Sequence, residues 1–180
     1  MIYDFDQPVD RRNTDSIKWN YYDDDILPMW VADMDFRSPE PVIRALYDRV
    51  EHGVFGYSRP STELSEIICK RMWRLYNWAV TPEQVIFLPG VVSAFNLFCR
   101  AFGEPGSGAL IQTPVYPPIL SAPENQKQIA NIAELAVIRN DHTLCYEVDY
   151  EVFAAAITPQ TRTFLLCNPH NPTGRSYTRQ

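Results

Sequence analysis

Three short segments of this 180-residue chain combine residue types suited to holding an anionic, planar ligand. The first is Pro89-Gly90-Val91-Val92-Ser93-Ala94. A glycine where a strand turns into a helix lets the backbone approach a ligand. The free N–H groups of the first helical turn then attract an anion, aided by the helix dipole. Ser93 adds a hydroxyl; an ordinary strand-to-helix turn would carry the same residues. The second segment is Gln112-Thr113-Pro114-Val115-Tyr116-Pro117-Pro118. Tyr116, held among prolines, either offers its ring face to a planar ligand or packs at a rim. The third is Asn168-Pro169-His170-Asn171-Pro172-Thr173-Gly174-Arg175. Proline restricts both itself and the residue before it, so two Asn-Pro steps make a rigid loop that can hold an amide at fixed geometry. His170 reads as a supporting loop residue rather than a base. A fourth stretch, Trp30–Phe36, carries Asp33 and Asp35, but no His or Cys stands at metal-ligand spacing, and turn or capping roles are expected.

These loops need a scaffold, and the hydrophobic periodicity supplies one. Residues 1–37 read as irregular, rich in Asp and aromatics, with an apolar patch at Ile26–Val31. Ser38 is the expected N-cap of a helix with Val42, Ile43, Leu46, Tyr47 and Val50 on one face, stopped by Gly53. A second amphipathic helix is expected over Thr62–Trp78. Short β-rich and helical runs then alternate: strand Gln84–Leu88, helix Gly90–Phe102, strand Ala109–Gln112, helix Tyr116–Glu124, extended Ile129–Ile138, helix Tyr150–Ile157, buried strand Arg162–Cys167. Such alternation with short Gly/Pro connections predicts an α/β fold with a mostly parallel sheet. Ligands bind outside the carboxyl ends of strands in such sheets, where the second and third segments fall. Thr178-Arg179-Gln180 reads as the start of a further helix, so a fragment of a longer chain is expected.

Composition bounds the function. With 46% hydrophobic and 13% aromatic residues the chain can bury a core and is not disordered. A net charge of −6 speaks against a nucleic-acid partner. Cys69, Cys99, Cys145 and Cys167 form no C-x-x-C pair, and reduced thiols without zinc or disulfide are expected. The acidic, aromatic N-terminus lacks a signal-peptide core, and no apolar run approaches the ~18 residues of a membrane span. A cytoplasmic protein with no membrane partner is expected.

Taken in order, LPMWVADMDF (27–36), VEHGVFGYS (50–58), LPGVVSAFNL (88–97), IQTPVYPPI (111–119) and LLCNPHNPTGR (165–175) resemble the class I/II aminotransferase superfamily of fold-type-I pyridoxal-phosphate (PLP) enzymes. Within it they are most similar to the cystathionine β-lyase, or C–S lyase, branch, and the resemblance covers nearly the whole chain. It implies a three-layer α/β/α PLP-dependent transferase-like large domain, here incomplete. Residues 1–45 would form an N-terminal arm and part of the small domain, and residues 46–180 the N-terminal portion of the PLP-binding large domain. It further implies that backbone N–H groups of Gly90, Val91, Val92 and Ser93 bind the cofactor phosphate. Tyr116 would stack on the pyridine ring, and Asn171 would bond the 3′-oxygen and help orient the substrate carboxylate. Tyr57 would reach the phosphate of a neighbouring subunit in a homodimer, and the backbone of Val31 and Ala32 would border the substrate. Thr173 stands where the branch often has valine and is the general family residue.

The implied activity is β-elimination of amino-acid substrates such as cystathionine or other cysteine S-conjugates, giving thiol, pyruvate and ammonia. Transamination by the same constellation is the runner-up, and a non-catalytic truncated or regulatory chain is the alternative of another class. The family's Schiff-base lysine, its pyridine-pairing aspartate and its carboxylate-binding arginine are expected C-terminal to the Asn168 loop. Lys18, Lys70 and Lys127 stand in no matching context. PLP chemistry needs that lysine, so no catalytic residue is assigned and the 180-residue chain alone is expected to be inactive.

Overall fold

The segment Gly108–Thr113, apolar through Ile111, forms a strand, β1, that is buried except at Thr113. In the computed structural model, which describes residues 3–7 and 9–178, β1 pairs in parallel on both sides. Its neighbours are β2 (Ile129–Glu134) and β5 (Thr161–Leu165), in the order β2-β1-β5. An all-parallel sheet is covered by helices, and here α4 (Val91–Phe102), α5 (Pro117–Asn125) and α6 (Tyr150–Ala155) pack against it. Phe153 of α6 meets Phe164 of β5 edge to face at 5.4 Å. The buried apolar set includes Cys99, Ala109, Leu110, Ile111, Ala122, Ala133 and Leu135, so small residues let helix and sheet approach closely. The expected α/β class with a mostly parallel sheet is what forms.

The chain divides into two compact units, Met1–Arg59 and Pro60–Gln180. The first contains α1 (Ile17–Asn20) and α2 (Glu40–His52). The second begins with α3 (Thr62–Tyr76), capped by Ser61, whose Oγ accepts the Leu64 N–H at 3.1 Å. Gly53 ends α2 as expected, in the left-handed conformation at φ 73° with its N–H on Val50 O. The N-cap of α2 is Pro39 rather than Ser38, because Pro39 keeps an extended ψ of 142° and Pro41 starts the first turn.

Three further expectations are corrected. Gln84–Leu88 is not a ladder strand: Pro82–Gln84 forms a 3₁₀ turn, and Val85–Leu88 is extended with no ladder partner among the described residues. Ile86 is accordingly 79% exposed. The extended run Ile129–Ile138 breaks at Leu135 into β2 and β3 (Ala136–Asn140). β3 then turns at Asp141-His142 into an antiparallel partner, β4 (Thr143–Glu147). β5 is paired on one side only, and Thr163 is its one fully buried residue. All four cysteines are free, but only Cys99 is buried. No helix among the described residues is long and apolar enough to cross a membrane. Arg179 and Gln180 of the expected helix start lie outside the described residues, as do Met1, Ile2 and Pro8.

Within Met1–Arg59 the two acidic side chains of the Trp30–Phe36 stretch are ion-pair partners rather than caps. Arg11 grips Asp33 with both guanidinium nitrogens, at 3.0 and 2.9 Å, and reaches Asp35 at 2.8 Å. Lys18, only 8% exposed, donates to Asp35 Oδ2 at 2.6 Å and to the Asp33 carbonyl at 2.7 Å. The Trp19 indole N–H donates to Asp35 Oδ1 at 2.7 Å. Lys18 first, then Trp19, hold the Asp35 carboxyl down from 3.8 to about 2. A carboxylate depressed in the folded state stabilises the fold above its unfolded pKa, and that contribution is lost as pH falls through the folded value. The Trp19 indole N–H resonance should therefore shift between about pH 3 and pH 1 with a midpoint near 2. A midpoint near 3.8 would show that Lys18 and Trp19 do not hold the carboxylate in solution.

Candidate functional site

Parallel pairing of β1 with β5 sends the loops that follow them out at the same edge of the sheet. The loop after β1 runs through Pro114 to Tyr116 and into α5, and the loop after β5 runs through Asn168 to Arg175. They are bonded to each other: the Tyr116 N–H donates to Asn171 O at 2.9 Å, and His170 Nε2 meets Pro114 O at 2.8 Å. Within the second loop the Asn171 N–H points at Cys167 Sγ, 3.3 Å away, and His170 and Arg175 form an isolated antiparallel bridge. The Thr113-Pro114, Asn168-Pro169 and Asn171-Pro172 peptides are cis.

Above these loops begins α4. Gly90 precedes it at φ 92°, ψ 159°, a conformation that side chains with a Cβ rarely adopt, and a Cβ there would point into open space. The first backbone bond of the helix runs from the Ala94 N–H to Gly90 O at 3.2 Å. The N–H groups of Val91, Val92 and Ser93 precede that bond and are the unpaired donors of a helix start. No acidic residue stands in the first turn. The Ser93 hydroxyl donates back to Pro89 O at 3.3 Å. Two amide ties hold α4 in place: Asn125 Nδ2 donates to Asn96 Oδ1 at 3.0 Å, and buried Gln128 donates to Cys99 O at 2.7 Å.

Between α4, the start of α5 and residues 164–171 lies a cavity of about 800 Å³. Its wall includes Val91, Phe95, Phe98, Tyr116, Ile119, Phe164, Leu166, Asn168 and Asn171, and no acidic side chain. Three of the sequence-based candidates, Val91, Tyr116 and Asn171, thus line one space, and Gly90, Val92 and Ser93 stand at the mouth of the same helix. The apolar wall of Phe95, Phe98 and Phe164 was not singled out by the sequence, where these residues read as ordinary core. Tyr57, Val31 and Ala32 belong to the other compact unit; Tyr57 is fully exposed, Val31 half-buried and Ala32 exposed. Among the described residues no group of three or more His, Cys, Asp or Glu side chains is placed to hold a metal ion. The arrangement offers an anion site, an aromatic face and a fixed amide around an apolar cleft, a size and lining suited to a small organic ligand.

Comparison with known proteins identifies a family and a fold. The family model described as Aminotransferase class I and II matches residues 24–180. The chain is 40% identical over 182 residues to Cystathionine beta-lyase PatB of Bacillus subtilis (strain 168), an alignment covering 98% of this chain and 46% of that protein. It matches the crystal structure of OvoB with a TM-score of 0.88 at 40% identity, covering 98% of this chain and 46% of the other. Cystalysin from Treponema denticola, whose crystal structure contains a pyridoxal 5′-phosphate cofactor, matches with a TM-score of 0.86 at 32% identity, over 99% of this chain and 46% of the other. The chain spans about half the length of the curated relatives it matches.

The start of α4 rests on the backbone angles of Gly90. Gly90→Val should cost about 1–3 kcal/mol, the range for forcing a side chain into a glycine-only region, and urea denaturation measures it. A loss below half a kcal/mol would mean that the turn relaxes without strain.

Proposed function

Because the chain belongs to the class I and II aminotransferase family, we propose that residues 60–178 form part of a pyridoxal-phosphate site. The protein carrying them is then a carbon–sulfur β-lyase acting on cysteine S-conjugates such as cystathionine. The observation that carries this reading is the convergence of Val91 at the start of α4, Tyr116 and Asn171 on one cavity. The similarity to a cystathionine beta-lyase supports elimination over transamination. Bound in that cavity, pyridoxal phosphate supplies an electron sink for a carbanion at the substrate's Cα.

The chain's own residues do the holding. The unpaired N–H groups of Val91, Val92 and Ser93, with the positive end of the α4 dipole, neutralise the phosphate, and Gly90 lets it come close. The Tyr116 ring covers one face of the pyridine. The Asn171 side-chain amide would donate to the 3′-oxygen and help orient the substrate carboxylate. Phe95, Phe98 and Phe164 keep water from the apolar side of the ring, which strengthens every polar contact there. Residues 1–45, read as an arm and part of a small domain, bring the Val31 and Ala32 backbone to the substrate. Exposed Tyr57 serves the phosphate of a second subunit in a homodimer.

In this family a lysine amine both attaches pyridoxal phosphate and moves the Cα proton, and none of the three lysines lines the cavity. Lys18 is held by Asp33 and Asp35, Lys70 lies 3.6 Å from Glu66 on α3, and Lys127 occupies a left-handed turn after α5. The 180-residue chain by itself should therefore turn over no substrate.

The test is to incubate the full-length protein carrying this chain with cystathionine and no 2-oxo-acid acceptor. Pyruvate and thiol should appear together; strict dependence on an acceptor would replace the lyase reading with transamination. Asn171→Ala should lower kcat/KM roughly 10- to 100-fold, the worth of one hydrogen bond to a charged group. Unchanged kinetics would remove Asn171 from the site.

A further inference from the structure

The loop after β5 holds a buried imidazole that nothing above employs. His170 is 1% exposed. Its Nε2 lies 2.8 Å from Pro114 O and its Nδ1 2.9 Å from the Tyr177 hydroxyl, with the two rings edge to face. A carbonyl oxygen only accepts, so Nε2 carries the proton and donates. The Nδ1 lone pair then accepts the Tyr177 O–H. Tyr177 is itself anchored, since its backbone N–H donates to Asn168 Oδ1 at 3.1 Å. The His170 backbone is also committed, its N–H to Arg175 O and its carbonyl to the Gly174 N–H, both at 2.7 Å. The imidazole cannot turn without breaking both of its ring bonds in a place closed to water.

The geometry points to His170 as a positioning residue that, through the relay Tyr177–His170–Pro114, sets the orientation of Tyr116 relative to Asn171. This rests on the reading of those two side chains as ring cover and amide donor of the cofactor site. Pro114 lies two residues before Tyr116, and His170 is the immediate neighbour of Asn171. The loops share one backbone bond, Tyr116 N–H to Asn171 O, and a single hydrogen bond leaves them free to pivot about it. The His170–Pro114 bond is a second attachment away from the first, and two separated attachments fix an orientation as well as a distance. The Tyr177 hydroxyl keeps the proton on Nε2. Without it Nδ1 is buried with no donor, and the ring is left held by the Pro114 bond alone, free to swing about it.

Tyr177→Phe tests this while leaving the packing volume intact, with His170→Leu and His170→Gln beside it. Glutamine retains an N–H that can reach Pro114 O, so it serves as the conservative rescue. Three quantities are read: amide hydrogen exchange at Tyr116, affinity of the full-length protein for pyridoxal phosphate, and melting temperature. Tyr177→Phe should speed Tyr116 exchange and weaken pyridoxal-phosphate binding, each by about fivefold, the worth of one net hydrogen bond. His170→Leu should do more, and His170→Gln should recover most of the loss at both sites. Tyr116 exchange unchanged in Tyr177→Phe would overturn the positioning role, as would equal losses in the Leu and Gln variants. So would variants that lower the melting temperature while leaving cofactor affinity at the parent value. If the parent binds no pyridoxal phosphate yet Tyr116 exchange responds as expected, the proposed function falls and the coupling of the two loops stands.

Discussion

The register between β1 and β5 is the constraint on which the rest of residues 60–178 depends. Ala109 faces Thr163, Leu110 faces Phe164 and Ile111 faces Leu165 in a parallel pair, with an irregularity between Gly108 and Ala109. A slip of one residue would send each side chain to the opposite face and would also displace the following loop by about 3.3 Å. The bonds from Tyr116 to Asn171 and from His170 to Pro114 could not survive that displacement, because hydrogen bonds weaken steeply beyond normal distance and angle. Burial of β1 and cross-linking of the loops are therefore two expressions of one register. The apolar run fixes it from the strand side and the loop bonds from the ligand side.

The helix start reaches the same place by a different route. α4 presents large apolar side chains that remain substantially exposed, among them Leu97, Phe98 and Phe102. Its placement leans on polar ties, Asn96 to Asn125 and Cys99 O to Gln128, and on the small contact surface around Cys99 and Ala122. Amide bonds of this kind, one exposed and one buried, are directional, so they specify where the helix sits more sharply than apolar contact does. A specified start is what an anion site requires, since only the first few N–H groups are free.

Much of this was legible in the sequence because punctuation residues carry local rules. Gly53, Gly90 and the Asn-Pro steps mark a helix end, a helix start and a rigid loop whatever surrounds them, and the strand-like runs of β1 and β5 fix the fold class. What failed to read out is what needs a distant partner. Val85–Leu88 has strand composition but no paired neighbour among the described residues. Asp33 and Asp35 looked like turn residues because Arg11 stands 22 and 24 positions away. The β3–β4 hairpin lacks the Asn-Gly or Asp-Gly signal that marks such turns, and Asp141-His142 does the work instead. Tyr177 gave no sign at all of its bond to His170, because a hydroxyl donor seven residues along a loop follows no periodicity.

Charge shows why local placement outweighs composition. With a net charge of −6 the chain as a whole repels anions, yet no acidic side chain lines the cavity or stands in the first turn of α4. Exposed charges further away than about 8–10 Å are screened at physiological salt, so distant carboxylates matter little at the first turn of α4. Some carboxylates are also neutralised where they stand, as Asp33 and Asp35 are by Arg11 and Lys18. The field at the start of α4 is then set by unpaired backbone N–H groups, which carry no formal charge and leave no trace in a residue count. A residue count therefore bears on a broad charged surface far more than on the field at a single helix start.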